Sequence, residues 1–533
     1  MRSNAELVVD ALERLGVRHV FGYPGGQTMR FMEAMHGSRV EFVLVTHEAC
    51  AGFMADVSAR LTGRPGACLS TLGPGATNMT TGVGNAYLDR VPVLAFTGQM
   101  GRRWKGRTVQ MQIDHQRLYA PITKWSAEIA PGAVYSTLKK AAEIALAEQP
   151  GPVHLDFRED VADELSAEEA AEFAPRVAAP SPIDEQSLNQ AAALLQQARY
   201  PLVAFGLTMN RAGATERLRA FVDRHRLPSV CTQMAKGHVQ EDGSRFVGVV
   251  GRARRDIVAE YCKPADLVVA VGYDPIEFNL EDWVPATVPL IHIDTVPVDI
   301  AAGHPVPVQI LGDISEALRR LAALPPIDHG WDLEALKDHR ARLRAALTPA
   351  QAAFSPHHAL LAMREILPGD GLLTVDVGAH THVIAQLWDT RGPGNVLVSN
   401  GWSSMGFAIP AAIAAKLVQP HRPVVACMGD GGFLMMVGEI ATAVRLRLPV
   451  VFVVLRDSCL SLIKVKQTRR QFHHDGVVLF DERYGSSHTL FGASVVVARE
   501  EQEFRAAFAQ ALIAQGPVVI EAVVDPSEYE ITL

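Results

Sequence analysis

The sequence predicts an α/β protein of three domains, each a parallel sheet flanked by helices. Three observations carry that prediction. Short apolar runs alternate with amphipathic stretches along the whole chain, the pattern of repeated β–α units. Most of those runs are apolar throughout, as strands covered by helices on both faces require. Two proline- or charge-rich stretches interrupt the alternation, and 533 residues accommodate about three domains of roughly 100–200 residues each.

In chain order, the first domain (1–165) offers strand candidates at Phe42–Val45, Ala67–Thr71, Val91–Thr97 and Val153–Phe157. A first break from Ala162 to Pro182 passes from acidic, alanine-rich sequence into Pro175, Pro180 and Pro182. The second domain (183–324) has candidates at Leu202–Phe205, Leu267–Val271 and Leu290–Ile293. A second break opens at Leu324-Pro325-Pro326 and closes near Ser355-Pro356, with a charged helical stretch between. The third domain (350–533) has candidates at Val424–Met428 and Val450–Leu455. No short-period repeat is present, which excludes a solenoid or propeller.

Composition narrows the function classes. With 48% hydrophobic and 20% charged residues the chain is of ordinary globular type. A net charge of −8 without a compensating basic stripe argues against a nucleic-acid partner. The one short basic run, Arg102, Arg103, Lys105 and Arg107, reads equally as a solvated loop or a substrate-facing one. Six scattered cysteines form no Cys-x-x-Cys pair, so neither a zinc site nor a disulfide framework is expected. The first residues lack the apolar core of a signal peptide, and no apolar run reaches the ~18 residues of a membrane span. A reducing, cytoplasmic setting without a membrane partner is expected.

The chemistry starts at Cys427-Met428-Gly429-Asp430-Gly431-Gly432-Phe433. An apolar strand ends in Gly-Asp-Gly-Gly and an amphipathic stretch follows. Such glycines let backbone approach a phosphate, and a helix start presents free N–H groups to it. The aspartate can instead hold a magnesium ion, which prefers hard oxygen ligands beside diphosphate oxygens. Asp457 follows a second apolar strand, 457 − 430 = 27 positions later, one helix and one parallel strand further on. Adjacent parallel strands put their carboxyl ends side by side, where open α/β sheets bind ligands. Two carboxylates meeting there are costly alone and favourable around a cation.

This Gly429-Asp430-Gly431 element and its spacing to Asp457 resemble the signature of the thiamine-diphosphate (ThDP) enzymes. Most of that family carries an asparagine pair where this chain has Arg456-Asp457, and aspartate is still an oxygen ligand. The resemblance implies magnesium held by Asp430, Asp457 and the main-chain carbonyl of Cys459. Val45-Thr46-His47-Glu48 follows a strand and opens a helix; the family places there a glutamate that hydrogen-bonds the cofactor's pyrimidine N1′. Phe21-Gly22-Tyr23-Pro24-Gly25-Gly26 and Leu72-Gly73-Pro74-Gly75-Ala76-Thr77-Asn78 resemble the loops facing the partner subunit's cofactor. Phe96-Thr97-Gly98-Gln99 resembles the loop with a substrate-side glutamine. Gly378-Ala379-His380 resembles the loop on the diphosphate, and Asn400-Gly401-Trp402-Ser403-Ser404-Met405-Gly406 the segment under the cofactor's bend. By the same resemblance Met405 holds the two cofactor rings in a V, and Ile463 lies near the thiazolium.

The implied catalytic residues are therefore Glu48 and Gln99. The implied cofactor-binding set is Gly73, Asn78, Gly378, Ala379, His380, Ser403, Met405, Gly429, Asp430, Gly431, Gly432, Asp457 and Ile463. Gly25, Gln112 and Lys466 are implied on the substrate side. The resemblance spans nearly the whole chain and implies a pyrimidine-binding domain, a Rossmann-like central domain and a diphosphate-binding domain. It also implies a homo-oligomer with its site at the subunit interface.

Val271-Gly272-Tyr273-Asp274-Pro275-Ile276-Glu277-Phe278, Ile291-His292-Ile293-Asp294 and Arg456-Asp457-Ser458 resemble most the catabolic, flavin-independent acetolactate synthases. ThDP and Mg2+ are then expected and FAD is not. The activity implied is decarboxylation of a 2-oxo acid such as pyruvate and transfer of the remaining unit to a second 2-oxo acid. Where those synthases carry a glutamine, this chain has Lys466, which either holds an acceptor carboxylate, marks a more acidic substrate, or is an exposed lysine. A decarboxylase or aldehyde lyase of the same fold is the alternative, although the adjacent His-His pair of pyruvate decarboxylases is missing and His115 stands alone there. His473-His474, beyond the metal loop, is expected in solvent. A non-catalytic scaffold of the same fold would have no need of Glu48.

Overall fold

The predicted apolar runs become strands of three sheets in the computed structural model, whose described residues are 1–170, 173–348, 353–479 and 488–533. Both predicted breaks fall partly outside them, at 171–172 and 349–352. The first sheet runs Glu41–Leu44, His19–Tyr23, Gly66–Ser70, Val93–Gln99, Val153–Arg158, Trp125–Glu128, with every pairing parallel. The second runs Phe246–Val249, Ser229–Cys231, Pro201–Phe205, Leu267–Val271, Leu290–Asp294, Val308–Leu311, again all parallel. Its strands lie in the chain order third, second, first, fourth, fifth, sixth, the doubly wound order with a ligand crevice between the first and fourth. The third runs Val396–Val398, Leu372–Val375, Val424–Gly429, Val451–Arg456, Val518–Val523, Ala493–Ala498, Thr489–Leu490, and only its last pairing is antiparallel.

All nine strand candidates occur, with no end displaced by more than two residues. The charged stretch in the second break is the helix Leu333–Leu347. Among the described residues no helix is long and apolar enough to cross a membrane.

Two packing features position the site. Helices Glu48–Thr62 and Pro74–Leu88 touch through Gly52 and Gly82: a Cβ on Gly52 would lie 2.6 Å from the Gly82 Cα, so only glycine allows the approach. On their flank lies Ala408–Val418, a helix apolar almost all round and therefore buried. Phe53 meets Phe407 edge-on at 5.6 Å, and Arg60 donates to the Val398 carbonyl while pairing with buried Asp56 and Asp89. The first and third sheets thus share one core.

Candidate active site

The third sheet brings the two predicted acids together. Val424–Gly429 and Val451–Arg456 pair in parallel with Gly429 opposite Leu455, so the next residues emerge side by side. Asp430, the first residue of helix Asp430–Met436, is buried, and its Oδ2 accepts the N–H groups of Asp457 and Ser458, each at 2.9 Å. Half-buried Asp457 accepts the Cys459 N–H at 3.0 Å on Oδ1 and the Ser461 hydroxyl at 2.5 Å on Oδ2. Loss of water pushes the Asp457 carboxyl up to about 7, and the Asp430 charge adds to that rise. This edge thus brings two carboxylates together, with burial opposing charge on Asp457. Its donors are hard oxygens, which fits magnesium.

Asp376 was not singled out from the sequence, yet it organises this edge. It ends the strand Leu372–Val375, is fully buried, and accepts N–H groups from Val377, Gly406 and Ala408, each at 2.9 Å. Burial pushes its carboxyl up to about 6. It ties the Gly378–His380 turn to the Ser403–Met405 segment. It also packs against Gly432, where a Cβ would lie 2.3 Å from Asp376 Oδ1, so only glycine fits there. Gly431 faces Met405, whose Cε would lie 2.6 Å from an added Cβ. Ser403 has φ +51° and donates to the Asn400 carbonyl at 2.6 Å. His380 is buried, with Nε2 unpartnered among the described residues, and burial pushes it down to about 4, so its ring is neutral. Its ring lies over the Gly378–Ala379 helix start and beside Gly429. The two glycine turns and the helix start beside this ring fit an anionic group, which His380 meets as a donor only when Nε2 carries a proton.

The first sheet builds the other predicted group. Glu48 is the buried first residue of its helix, and Oε2 accepts from Asn78 Nδ2 at 3.0 Å. Gly73, at φ +61° before helix Pro74–Leu88, donates its N–H to His115 Nε2 at 3.1 Å. An accepting Nε2 places the proton on Nδ1, which donates to Asp156 Oδ1 at 2.8 Å. His115 does not stand alone in space. The ring of His154 lies 6.4 Å away, between the hydroxyls of Thr97 (2.8 Å) and Ser126 (2.7 Å) and stacked on Tyr119. Thr97 in turn donates to Asp156 at 2.5 Å. Parallel pairing sets Thr97 beside Asp156, a long-range relation no local motif reveals.

Gln99 is buried at the end of its strand, with Nε2 at 3.5 Å from both the Ile113 carbonyl and His115. Half-buried Gln112 lies nearby, and a cleft of about 950 Å³ is lined by Gln99, Gln112, His115, Asp156 and Arg158. Gly25 packs on Thr71, whose Oγ1 would lie 2.3 Å from an added Cβ. In the basic run, Arg102 pairs with Asp160 and Glu164, while Arg103 and Arg107 stack on Trp104. Ile463 and Lys466 are exposed three residues apart on helix Ser461–Arg469. His473 and His474 are exposed as expected.

Within one chain the two groups stay apart. Thr46, two residues before Glu48, hydrogen-bonds Glu439 through N–H and hydroxyl at 2.9 and 2.6 Å, and Cys50 Sγ touches Met436 Sδ at 3.4 Å. The start of the Glu48 helix therefore packs against Met436 and Glu439, six and nine residues along the chain from Asp430.

In the central sheet, Glu277 occupies the crevice between the first and fourth strands. It accepts N–H groups from Leu207 (2.7 Å) and Met234 (3.0 Å) and the Thr232 hydroxyl (2.7 Å), and burial pushes it up to about 7.

Comparison with known proteins covers the same span. Residues 2–118 match the family model described as thiamine pyrophosphate enzyme, N-terminal TPP binding domain. Residues 188–321 match the central domain of those enzymes, and 376–522 their C-terminal TPP binding domain. The chain is similar to the acetolactate synthase of Bacillus subtilis (strain 168), at 30% identity over 98% of this chain and 93% of the relative. It is also similar to the catabolic acetolactate synthase of Raoultella terrigena, at 30% identity over 98% and 95%. The acetolactate synthase isozyme 2 large subunit of Escherichia coli (strain K12) is 29% identical over 99% and 96%.

Proposed function

The chain belongs to the thiamine pyrophosphate enzymes as an acetolactate-synthase-like, ThDP-dependent carboligase, and from that premise we propose how its residues divide the work. The substrate is a 2-oxo acid such as pyruvate, which loses carbon dioxide and passes its remaining unit to a second 2-oxo acid. One observation carries the reading: Asp430 and Asp457 meet at the strand ends, two like-charged carboxylates that a magnesium ion between protein and diphosphate would draw together.

Thiamine diphosphate, when bound, supplies the electron sink for decarboxylation. Gly378, Ala379, His380 and the Gly429–Gly432 turn would hold its diphosphate; Asp430, Asp457 and the Cys459 carbonyl would hold the metal. Ser403, Met405 and Ile463 would flank its rings, with Gly73 and Asn78 from the first sheet. Asn78 occupies Oε2 of Glu48, which leaves Oε1 to hold a proton against the pyrimidine ring. Gly25, Gln99, Gln112 and Lys466 would line the substrate. The units 1–165, 183–324 and 350–533 are then the pyrimidine-binding, central and diphosphate-binding domains.

The separation of Glu48 from Asp430 within one chain supports a homo-oligomer in which each site takes Glu48 from one copy and Asp430 from the other. The chemistry is redox-neutral and needs no flavin. Glu277 already takes the backbone N–H groups that a dinucleotide phosphate would seek at the switch point. Six free cysteines, five of them buried, suit a reducing compartment such as the cytoplasm.

The test is to supply the protein with pyruvate, ThDP and magnesium and to measure carbon dioxide, acetaldehyde and acetolactate together. One carbon dioxide and one acetolactate for every two pyruvates is expected. Acetaldehyde as main product would instead make it a decarboxylase.

A further inference from the structure

The loop after strand Phe246–Val249 leaves the central sheet and is stitched to the third sheet's unit at three points. Ala253 N–H donates to the His382 carbonyl at 3.3 Å, Arg254 N–H to the Thr532 carbonyl at 3.0 Å, and Arg252 Nη2 to Asn400 Oδ1. These bonds hold the Arg252 guanidinium between the helix Ala379–Leu387 and the Asn400–Met405 segment, the two segments that flank Gly429 and Gly431. Helix Ser461–Arg469 comes from another side: its Arg469 donates to the Glu530 carbonyl at 3.2 Å, two residues before Thr532. Arg252 and Lys466 both act on His382, which is pushed down to about 3 by burial first and by these cations next. The His382 ring is therefore neutral and relieves neither.

Among the described residues no carboxylate lies within ion-pair distance of Arg252 or Lys466. Glu277, the acid whose field reaches Arg252, is already engaged by three donors. Arg252 is pulled down to about 10 by loss of water, the mark of a guanidinium short of counter-charge. Arg252, half-buried without an anion among the described residues, opposes folding, whereas exposed Lys466 stays solvated; an anion that arrives with a ligand explains Arg252 and draws in Lys466. The cofactor diphosphate has its own partners in the metal pair and the two helix starts. A single carboxylate would be matched by one cation. A planar guanidinium grips a carboxylate in two-point fashion, and a lysine beside it adds a point charge.

We propose that Arg252 and Lys466 form a carboxylate-binding pole, and that the acceptor of this enzyme is a dicarboxylic 2-oxo acid. This rests on the carboligase reading above. The C1–C2 bond of pyruvate breaks and carbon dioxide leaves. The electron pair left on pyruvate C2 forms a bond to C2 of the acceptor, whose carbonyl oxygen takes up a proton. No oxidant or reductant is consumed.

The experiment incubates the ThDP- and magnesium-loaded protein with pyruvate and 2-oxoglutarate, each labelled at C1 in turn, and follows labelled carbon dioxide and product mass. Carbon dioxide from pyruvate and a mixed product favoured over acetolactate are expected. Arg252→Gln and Lys466→Gln should each cut the preference for 2-oxoglutarate over pyruvate as acceptor by about 10- to 100-fold, with ThDP affinity by calorimetry unchanged. Arg252→Lys should retain part of it. Lys466 is exposed, so its variant carries the test should Arg252→Gln fail to fold. An unaltered preference, weakened ThDP binding, or carbon dioxide drawn from 2-oxoglutarate would each overturn the proposal and leave the carboligase reading standing. Release of carbon dioxide from neither acid would sink that reading as well.

Discussion

The two halves of the candidate site are built on opposite electrostatic plans. Around Glu48 the protein satisfies itself: Asn78 holds the carboxylate, Gly73 is clamped by His115, and His115 by Asp156. Around Asp430 the fit is less complete: burial pushes the Asp457 carboxyl up towards neutrality, and His380 keeps an orphaned nitrogen. A half that must present one carboxylate in one orientation gains from a closed network. On the proposed reading, the half that takes up a metal and a diphosphate keeps an orphaned ring nitrogen and a destabilised carboxylate for them.

The sharpest way to break that comparison is to remove the one group the first half exists to present. Glu48→Gln keeps the shape and the Asn78 partner and loses the exchangeable proton. Product formation should fall by about 10²–10⁴-fold, the range for a positioned acid–base group, while ThDP still binds. Loss of ThDP binding together with activity would show that Glu48 holds the cofactor rather than working on it. Next in size is the response to magnesium and ThDP. At concentrations of 100 to 1,000 times the dissociation constant they should stabilise the protein by about 3–4 kcal/mol. Hydrogen exchange should localise that gain to residues 376–380, 403–406 and 429–432, with strand Val153–Arg158 unchanged. Equal gains in both halves would erase the distinction.

Legibility from sequence follows the same division. The Gly429–Gly432 turn and Asp457 were readable because a strand, a helix and a strand in succession fix their meeting in chain order. Glu48 by its place between a strand and a helix reads only as a helix-start carboxylate; the family resemblance singled it out. Asp376, His154 and Arg252 were not, since each owes its role to neighbours far along the chain. Asp376 depends on Leu372–Val375 pairing with Val424–Gly429, and His154 on its strand lying between Val93–Gln99 and Trp125–Glu128. Arg252 depends on a loop crossing to another sheet's unit. Strands such as Ser229–Cys231 and Trp125–Glu128 were missed because three or four residues, some polar, carry little periodicity. Gly432 was readable as necessary, but its reason, the Asp376 carboxylate, lay 56 residues away in the chain (432 − 376).

The smallest effect sharpens the comparison from the closed side. His154 is fully buried between two hydroxyls and pushed down to about 4 by burial, with Asp156 opposing that shift. Thr97 donates to Asp156, so its oxygen accepts from His154 Nε2–H, and Nδ1 accepts from Ser126; the neutral ring satisfies both bonds. Its folded value lies below the ~6.5 of an unfolded histidine, so it contributes stability that is complete above that value and lost as pH falls through about 4. A downward shift of that size corresponds to about 2 kcal/mol lost between pH 7 and pH 5. Amide exchange on strand Val153–Arg158, corrected for intrinsic rate, should show the loss locally. In His154→Gln, which keeps a donor and an acceptor and has no charge to gain, the strand should be less protected at pH 7 but lose nothing further at pH 5. The same acid slope in both proteins would mean that the Glu48 half is held by something other than a network that keeps His154 neutral.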